Sequence, residues 1–305
     1  MVKIYDSMFF LAEILFLILK IFYFICENIV RIFIPTTKKS VADEIVLVTG
    51  AGHGIGKELA IGYASLGATV ICWDINEETN KQTMNEIKMM GTNTVYAYQC
   101  NVADRHEVFR VAEKVRKEVG DVTILVNNAG IIFLKKFLDQ SVDEITRVID
   151  VNIMSHYWTL QAFLPSMIEK NRGHVVAVSS VAAFYGATHG TVYCPSKSAV
   201  KALMEAVFDE LRTYSERKSL IKFTTVYPVL VLTGFAKKPR MRFSNIMQLT
   251  PQKAASLIID AQRQNFKERT IPSHWLALLY LIRILPNKAS FCIYDFLSIH
   301  FDADD

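Results

Sequence analysis

Between residues 45 and 127 short apolar runs alternate with longer stretches that stop at a glycine, and this rhythm constrains the fold most. "IVLVT" (45–49) precedes a helical stretch over 55–66 that stops at Gly67. "TVICW" (69–73) precedes one over 77–90 that stops at Gly91, and "TVYAYQ" (94–99) one over 104–119 that stops at Gly120. "VTILVN" (122–127) opens a fourth unit. Strands this short and apolar are buried on both faces, which requires a parallel sheet covered by helices above and below. A glycine past a helix supplies the left-handed residue that ends it. Further strands are predicted at 174–178 and 222–227, with helices near 143–169 and 195–215. The fold class is therefore α/β: a Rossmann-type, doubly wound parallel sheet with helices on both faces. A chain of 305 residues has ample material for one such domain, and no internal repeat or low-complexity linker divides it.

The segment "MFFLAEILFLILKIFYFICENIV" precedes this rhythm and predicts a membrane-associated helix. Asp6, Glu13, Lys20 and Glu27 recur every seven residues and Arg31 follows four later, so the charges form one polar stripe on an apolar cylinder. Charges inside the apolar region, with no small-residue cleavage site after it, argue against a signal peptide. A spanning helix would hold Lys20 near the bilayer centre, at about 2.5–3.5 kcal/mol. The thirteen Leu, Ile and Phe residues between 9 and 25 would return roughly 4–8 kcal/mol. Spanning is therefore open, while a helix lying in the interface keeps the stripe wet and is the preferred reading. Arg31, Lys38 and Lys39 follow the segment and only Lys3 precedes it, which puts the main domain on the cytosolic side in either case. The expected organisation is an anchor at 1–40, the α/β domain at 41–270 and an apolar carboxyl-terminal extension at 271–305. A net charge of +4 gives no reason to expect nucleic acid as a partner. Cysteines 26, 72, 100, 194 and 292 are scattered, odd in number and without CxxC spacing. They suit reduced thiols better than a disulfide framework or a metal site.

The chemistry begins with "TGAGHGIG" (49–56), which follows the first strand and opens the first helix. Gly50, Gly54 and Gly56, with His53 and Ile55 between them, permit a tight turn and close approach of a pyrophosphate to the helix amino terminus. Asp74 ends the second strand 24 residues after Gly50. A carboxylate there accepts ribose hydroxyls and repels a 2′-phosphate, which favours NAD over NADP; the competing role for Asp74 is a helix cap before "INEETN". In "GTVYCPSKSA" (190–199), Tyr193 and Lys197 stand at i and i+4, on one helix face. An ammonium about 4 Å from a phenol contributes up to roughly 4 kcal/mol at an effective dielectric of 20. That is roughly three pK units, enough to bring the phenol towards 7. Pro195 is tolerable if the helix starts about there, with Tyr193 at its entrance and Cys194 extended.

The pattern T-G-x-x-x-G-x-G, "NNAG" at 127–130, Asn152, Ser180 and the Tyr193/Lys197 pair together resemble the short-chain dehydrogenase/reductase family, over about residues 44–235. Ser180 precedes Tyr193 by thirteen residues, which favours it over Ser179. "WDIN", "FLPSMIEKNRGHVVAVSS", "YCPSK" and the apolar anchor are most similar to the family's microsomal and lipid-droplet branch, with its retinol and 17β-hydroxysteroid dehydrogenases. The resemblance implies an enzyme whose catalytic residues are Asn152, Ser180, Tyr193 and Lys197. Tyr193 would move the proton, and Lys197 would lower its pKa and hold the nicotinamide ribose. Ser180 would bind the substrate oxygen, and Asn152 would hold a water linking Lys197 to solvent. By the same matching, Asn101 and Val102 stand at the adenine edge, where Asn101 replaces the usual aspartate. Asn128, Ala129 and Gly130 border the adenosine ribose, and Thr233 contacts the carboxamide. Val229 replaces the usual glycine after Pro228.

The implied activity is NAD-dependent interconversion of a lipophilic alcohol (retinol, a 17β-hydroxysteroid or a long-chain alcohol) and its aldehyde or ketone. The implied setting is the endoplasmic reticulum membrane or a lipid droplet, and the resemblance is compatible with a homodimer. Asn101, Pro195 and Val229 keep an alternative open: a weakly active or inactive protein of this fold serving as a binding or scaffold protein at a lipid surface. "KKPRMR" (237–242) reads equally as a contact for anionic headgroups or as a solvated lid loop. "HWLALLYLIRILP" (274–286) and "FCIYDFLSI" (291–299) read as helices packed on the core, with an apolar rim near the site.

Overall fold

The computed structural model describes residues 2–33, 37–91, 94–235, 239, 240, 242, 248–297, 300 and 301. The chain forms two compact units, Met1–Lys39 and Ser40–Asp305. The first is one helix, α1 (Val2–Phe33). Its stretch Phe9–Glu27, 19 residues with a mean hydropathy of 2.4, is long and apolar enough to cross a membrane.

In the second unit the alternation read from the sequence is realised. β1 (Ile45–Thr49), α2 (Gly54–Ser65), β2 (Thr69–Asp74), α3 (Glu77–Met89), β3 (Val95–Gln99), α4 (Arg105–Glu118) and β4 (Ile124–Asn127) follow one another. Then come α5 (Val142–Ile149), α6 (Ser155–Glu169), β5 (His174–Val178), α7 (Tyr193–Tyr214) and β6 (Lys222–Pro228). After the two-residue strand β7 (Pro239–Arg240) come α8 (Pro251–Arg263), β8 (Glu268–Ile271), α9 (Trp275–Ile284) and α10 (Asn287–Leu297). A last short strand, β9 (His300–Phe301), pairs with β7. The main sheet has seven parallel strands in the order β3-β2-β1-β4-β5-β6-β8.

Side-chain alternation along the strands builds two cores. Val46 and Val48 of β1 pack with α2 and α8, whereas Leu47 between them packs with α4, α6 and α7. Helix starts are capped by side chains. Asn76 accepts from the Thr79 N–H, Asp104 from the His106 N–H, and Ser141 forms a reciprocal box with Glu144. Gly67, at φ +87°, turns the chain left-handed after α2, and Gly91 and Gly120 do the same after α3 and α4.

Two predicted features differ. The single helix expected near 143–169 is two helices joined by a π-turn, Asp150–Met154, across which the Ser155 N–H reaches the Asp150 carbonyl. The extra residue lets Asn152 turn into the interior. The region after β6, for which only helices over 274–286 and 291–299 are expected, also contains integral parts of the sheet domain. Thr250 caps α8 with Pro251 in its first turn, and α8 packs on α2. β8 pairs with β6 and ends at Ile271, opposite Pro228. Lys237, Lys238 and Met241 of "KKPRMR" lie outside the described residues, as do residues 298 and 299 of "FCIYDFLSI".

Strand order reverses between β1 and β4, whose neighbours lie on opposite sides, and the carboxyl ends of the strands there open a crevice.

Candidate active site

A cleft of about 370 Å³ occupies that crevice, between the glycine loop, the ends of β4 and β5 and the segment after β6. A second cleft of about 540 Å³ shares Gly50, Asp74, Ala129 and Gly130 with the first and is lined by Asn101 and Val102.

The glycine loop is a cradle that side chains would fill. Gly50 and Gly54 have φ +68° and +56°, and a Cβ on Gly56 would stand 1.9 Å from the Gly50 carbonyl oxygen. On Gly54 it would stand 3.0 Å from the Thr233 methyl, so the segment after β6 closes over the loop. His53 caps α2 in an extended conformation without a side-chain hydrogen bond, leaving the first-turn N–H groups for an anionic ligand. Gly54 and Ile55 line the cleft there. Asp74 accepts from the Gly52 N–H (2.8 Å) and the Asn76 N–H (2.9 Å). It is not the cap of α3, since Asn76 holds that place. This arrangement fits a dinucleotide.

The neighbouring loops are tied together. Thr49 Oγ1 accepts from the N–H groups of Asn128 and Ala129, each at 3.0 Å, and the Asn128 amide donates to the Thr49 carbonyl at 2.9 Å. The Asn101 amide oxygen, expected to face adenine, accepts from the Ala103 N–H at 3.1 Å in the turn before α4. Val229 carries no strain: its N–H donates to the Ile271 carbonyl at 3.0 Å and continues the β6–β8 ladder.

β5 delivers two serines with opposite tasks. The Ser179 hydroxyl turns away and donates to the Lys197 carbonyl at 2.8 Å. The Ser180 hydroxyl hydrogen-bonds the Tyr193 phenol and accepts from the Ala182 N–H at 3.2 Å, at the start of the short turn Val181–Ala183. The helix carrying Tyr193 begins earlier than expected. Cys194 is helical, not extended, because its N–H already bonds the Gly190 carbonyl at 2.8 Å. Pro195 is then the third residue of α7, where an N–H has no intrahelical partner to lose.

Lys197, one turn on, is 3% exposed and donates to the Val178 carbonyl at 3.1 Å. Its Nζ lies 5.7 Å from the Tyr193 ring centroid. Burial pulls the Lys197 ammonium down to about 8. Tyr193 is 8% exposed, and burial pushes its phenol above the ordinary value, partly offset by the Ser180 hydrogen bond. The expected drop towards 7 does not appear, because that expectation left out the desolvation of the phenolate. Burial, helped by the Lys197 charge, also pushes His156 down to about 3, so this imidazole is neutral.

Asn152 is fully buried, and both its amide hydrogens are committed. They go to the Ile131 carbonyl and the Ser196 hydroxyl, each at 3.0 Å, while its oxygen accepts from the Ile131 N–H at 2.8 Å. The Asn152 side chain is thus a brace between the "NNAG" loop and α7. A Cβ on Gly130 would meet the Asn152 oxygen and Lys197 Nζ, both at 3.3 Å, so only glycine fits that junction without displacement. Thr49, Ser179 and Ser196 were not anticipated as site residues. Only Ser196, three residues after Tyr193, carried a spacing signal. An apolar wall formed by Ile132, Val181, Tyr185, Leu230 and Phe235 completes the cleft, with the Phe235 ring 6.0 Å from that of Tyr193.

Residues 44–242 match the family model described as short chain dehydrogenase. The chain is 39% identical over 293 residues to human 17-beta-hydroxysteroid dehydrogenase 13, covering 96% of each chain. It is 38% identical over 281 residues to human epidermal retinol dehydrogenase 2, covering 92% of this chain and 90% of that one. The solved structure of a short chain dehydrogenase/reductase from Burkholderia phymatum in complex with NAD shares the fold. Its TM-score is 0.72 at 22% identity, covering 87% of this chain and 99% of that one.

Proposed function

The chain belongs to the short-chain dehydrogenase family, and on that premise we propose that it interconverts a lipophilic alcohol and its aldehyde or ketone with NAD as cofactor. The observation that carries this reading is the meeting of Ser180, Tyr193 and Lys197 at one wall of a cleft whose other wall is the glycine cradle. Gly50, His53, Gly54, Ile55 and Gly56 would hold the pyrophosphate. Asp74 would accept the adenosine ribose hydroxyls and repel a 2′-phosphate, which favours NAD over NADP. Asn101 and Val102 would border adenine, Asn128, Ala129 and Gly130 the ribose, Thr233 the carboxamide, and Tyr193 and Lys197 the second ribose. When bound, the dinucleotide supplies hydride transfer.

The side chains handle the proton. Tyr193, held neutral by burial, donates its proton to the substrate oxygen in the direction of reduction, and Ser180 hydrogen-bonds the same oxygen. In the direction of oxidation the phenol must first lose its proton, and the Lys197 ammonium stabilises the phenolate left behind. Asn152 fixes the loop and helix that carry this pair.

The apolar wall and the retinol and hydroxysteroid dehydrogenases among the relatives support a lipophilic substrate. α1 supports attachment to the endoplasmic reticulum membrane or a lipid droplet, with residues 41–270 as the catalytic domain on the cytosolic side and 271–305 as its apolar extension. The inactive-scaffold alternative loses two of its motives, since Pro195 fits the first turn of α7 and Val229 continues a ladder. The test is the purified full chain in liposomes, given NAD or NADP and a panel of retinoids, hydroxysteroids and fatty alcohols. Reduction of NAD with at least one member supports the proposal. Binding of NADH without turnover of any member overturns it.

A further inference from the structure

The turn that follows Ser180 is held from outside by the carboxyl-terminal elements. Among the described residues, two side chains from elsewhere bond its main chain: the Ser198 hydroxyl donates to the Ala183 carbonyl at 2.9 Å, and Arg283 Nη1 donates to the Phe184 carbonyl at 3.1 Å. Arg283 belongs to α9, far along the chain from Ser180 but adjacent in space. The buried Phe184 ring stands edge-on to Tyr227 at 4.7 Å and to Tyr280 at 5.3 Å between centroids. Both tyrosine hydroxyls donate to Glu268 of β8, Tyr280 at 2.7 Å, and Lys201 Nζ of α7 lies 3.6 Å from the same carboxylate. Leu279 of α9 packs into the cluster with Ala183, Phe184 and Tyr227.

These contacts form a continuous mechanical link. The Glu268 carboxylate seats Tyr280 and thereby α9, α9 presents Arg283, and Arg283 fixes the carbonyl of a residue four positions after Ser180. Val181, Ala182 and Tyr185 of the same turn line the cleft, so the clamp governs the catalytic hydroxyl and part of the substrate wall together. A hydroxyl that must meet both a phenol and a substrate oxygen tolerates little displacement, and its own turn is a single 3₁₀ turn with little rigidity.

We propose that Arg283 is a positioning residue for Ser180, holding the 181–185 turn through the Phe184 carbonyl, with Glu268 and Tyr280 setting its place; this rests on the reading of Ser180 as catalytic. The experiment compares parent, Arg283→Ala and Arg283→Lys in liposomes. It measures kcat and KM for an alcohol the parent oxidises, NADH affinity by fluorescence, and hydrogen exchange over 181–186 and 50–56. Arg283→Ala should lower kcat on the order of 10- to 100-fold while NADH affinity stays within about twofold. Exchange should rise over 181–186 and stay unchanged over 50–56, and Arg283→Lys, which keeps a donor, should restore most of both. Unchanged kcat, unchanged exchange in the turn, or parallel loss of NADH affinity would overturn the assignment. Should Arg283→Ala not fold, Tyr280→Phe is measured in the same way, with effects of the same sign expected and their absence overturning it. If the parent oxidises no alcohol, the enzyme reading fails on its own. Exchange then decides the clamp, a loosened turn supporting it and an unaltered one overturning it.

Discussion

Lys197 Nζ lies 5.7 Å from the centroid of the Tyr193 ring and donates to the Val178 carbonyl, so the ammonium and the phenol share one buried pocket. Burial favours the neutral form of each, drawing Lys197 down and Tyr193 up. The pair is thus set apart from its solution behaviour by desolvation more than by mutual attraction.

One consequence is measurable without substrate. The folded Lys197 titrates at about 8 instead of 10.5, so holding its proton costs stability below pH 8. That cost fades between about pH 8 and 10.5, where the unfolded chain still binds the proton and the folded one does not, so this group's contribution to stability improves as pH rises. Lys197→Met removes the buried charge. It should raise the unfolding free energy by about 1–3 kcal/mol at pH 7, the gain shrinking to under about 1 kcal/mol by pH 10. Denaturant titration at the two pH values checks both the sign and the trend.

Asp74 accepts two N–H groups and presents its carboxylate to both clefts. Asp74→Asn keeps the size but removes the charge. It should weaken NADH binding about tenfold and narrow the preference over NADPH, because a hydrogen bond to a charged group is worth about 1.5–3 kcal/mol. Titration of both reduced cofactors by fluorescence gives the ratio. An unchanged preference would remove Asp74 from cofactor selection.

Gly56 faces backbone that cannot move aside. A methyl group there would stand 1.9 Å from the Gly50 oxygen and 2.5 Å from the Asn128 amide nitrogen. Gly56→Ala should lower stability by about 1–3 kcal/mol or more and abolish NADH binding. Gly62→Ala, in the same helix, meets only the movable end of Ile259 and should be milder. Thermal unfolding of the two variants side by side tests the contrast.

Pro195 sits in the first turn of α7 and forfeits no hydrogen bond. Pro195→Ala should therefore change turnover less than about twofold and stability by less than about 1 kcal/mol, the latter through the unfolded chain. A large gain in turnover would mean that the proline hampers the Tyr193–Lys197 geometry after all.

The parallel core was legible because strands buried on both faces leave a run of apolar residues with no competing reading. Ile45–Thr49 and His174–Val178 coincide with the predicted bounds. The glycine loop and the Tyr193/Lys197 spacing were legible for a similar reason, since each needs its residues at fixed local offsets. α8 was not identified because half of its buried residues are alanine (Ala254, Ala255, Ala261), which gives little apolar periodicity. β8 was missed because four residues beginning "ER" read as surface. The π-turn at 150–154 has no propensity signature, and the early start of α7 depends on the Gly190 carbonyl. The Asn152–Ser196 and Arg283–Phe184 bonds join residues far apart in sequence, and no local pattern foreshadows them.

NADH formation by the full chain and by Tyr193→Phe, in liposomes carrying the best alcohol of the panel, tests the central reading most directly. The parent should turn over and the variant should lose at least about 100-fold in kcat, with NADH affinity within about threefold. A Tyr193→Phe protein that oxidises the alcohol at a rate close to the parent's would contradict proton transfer by Tyr193.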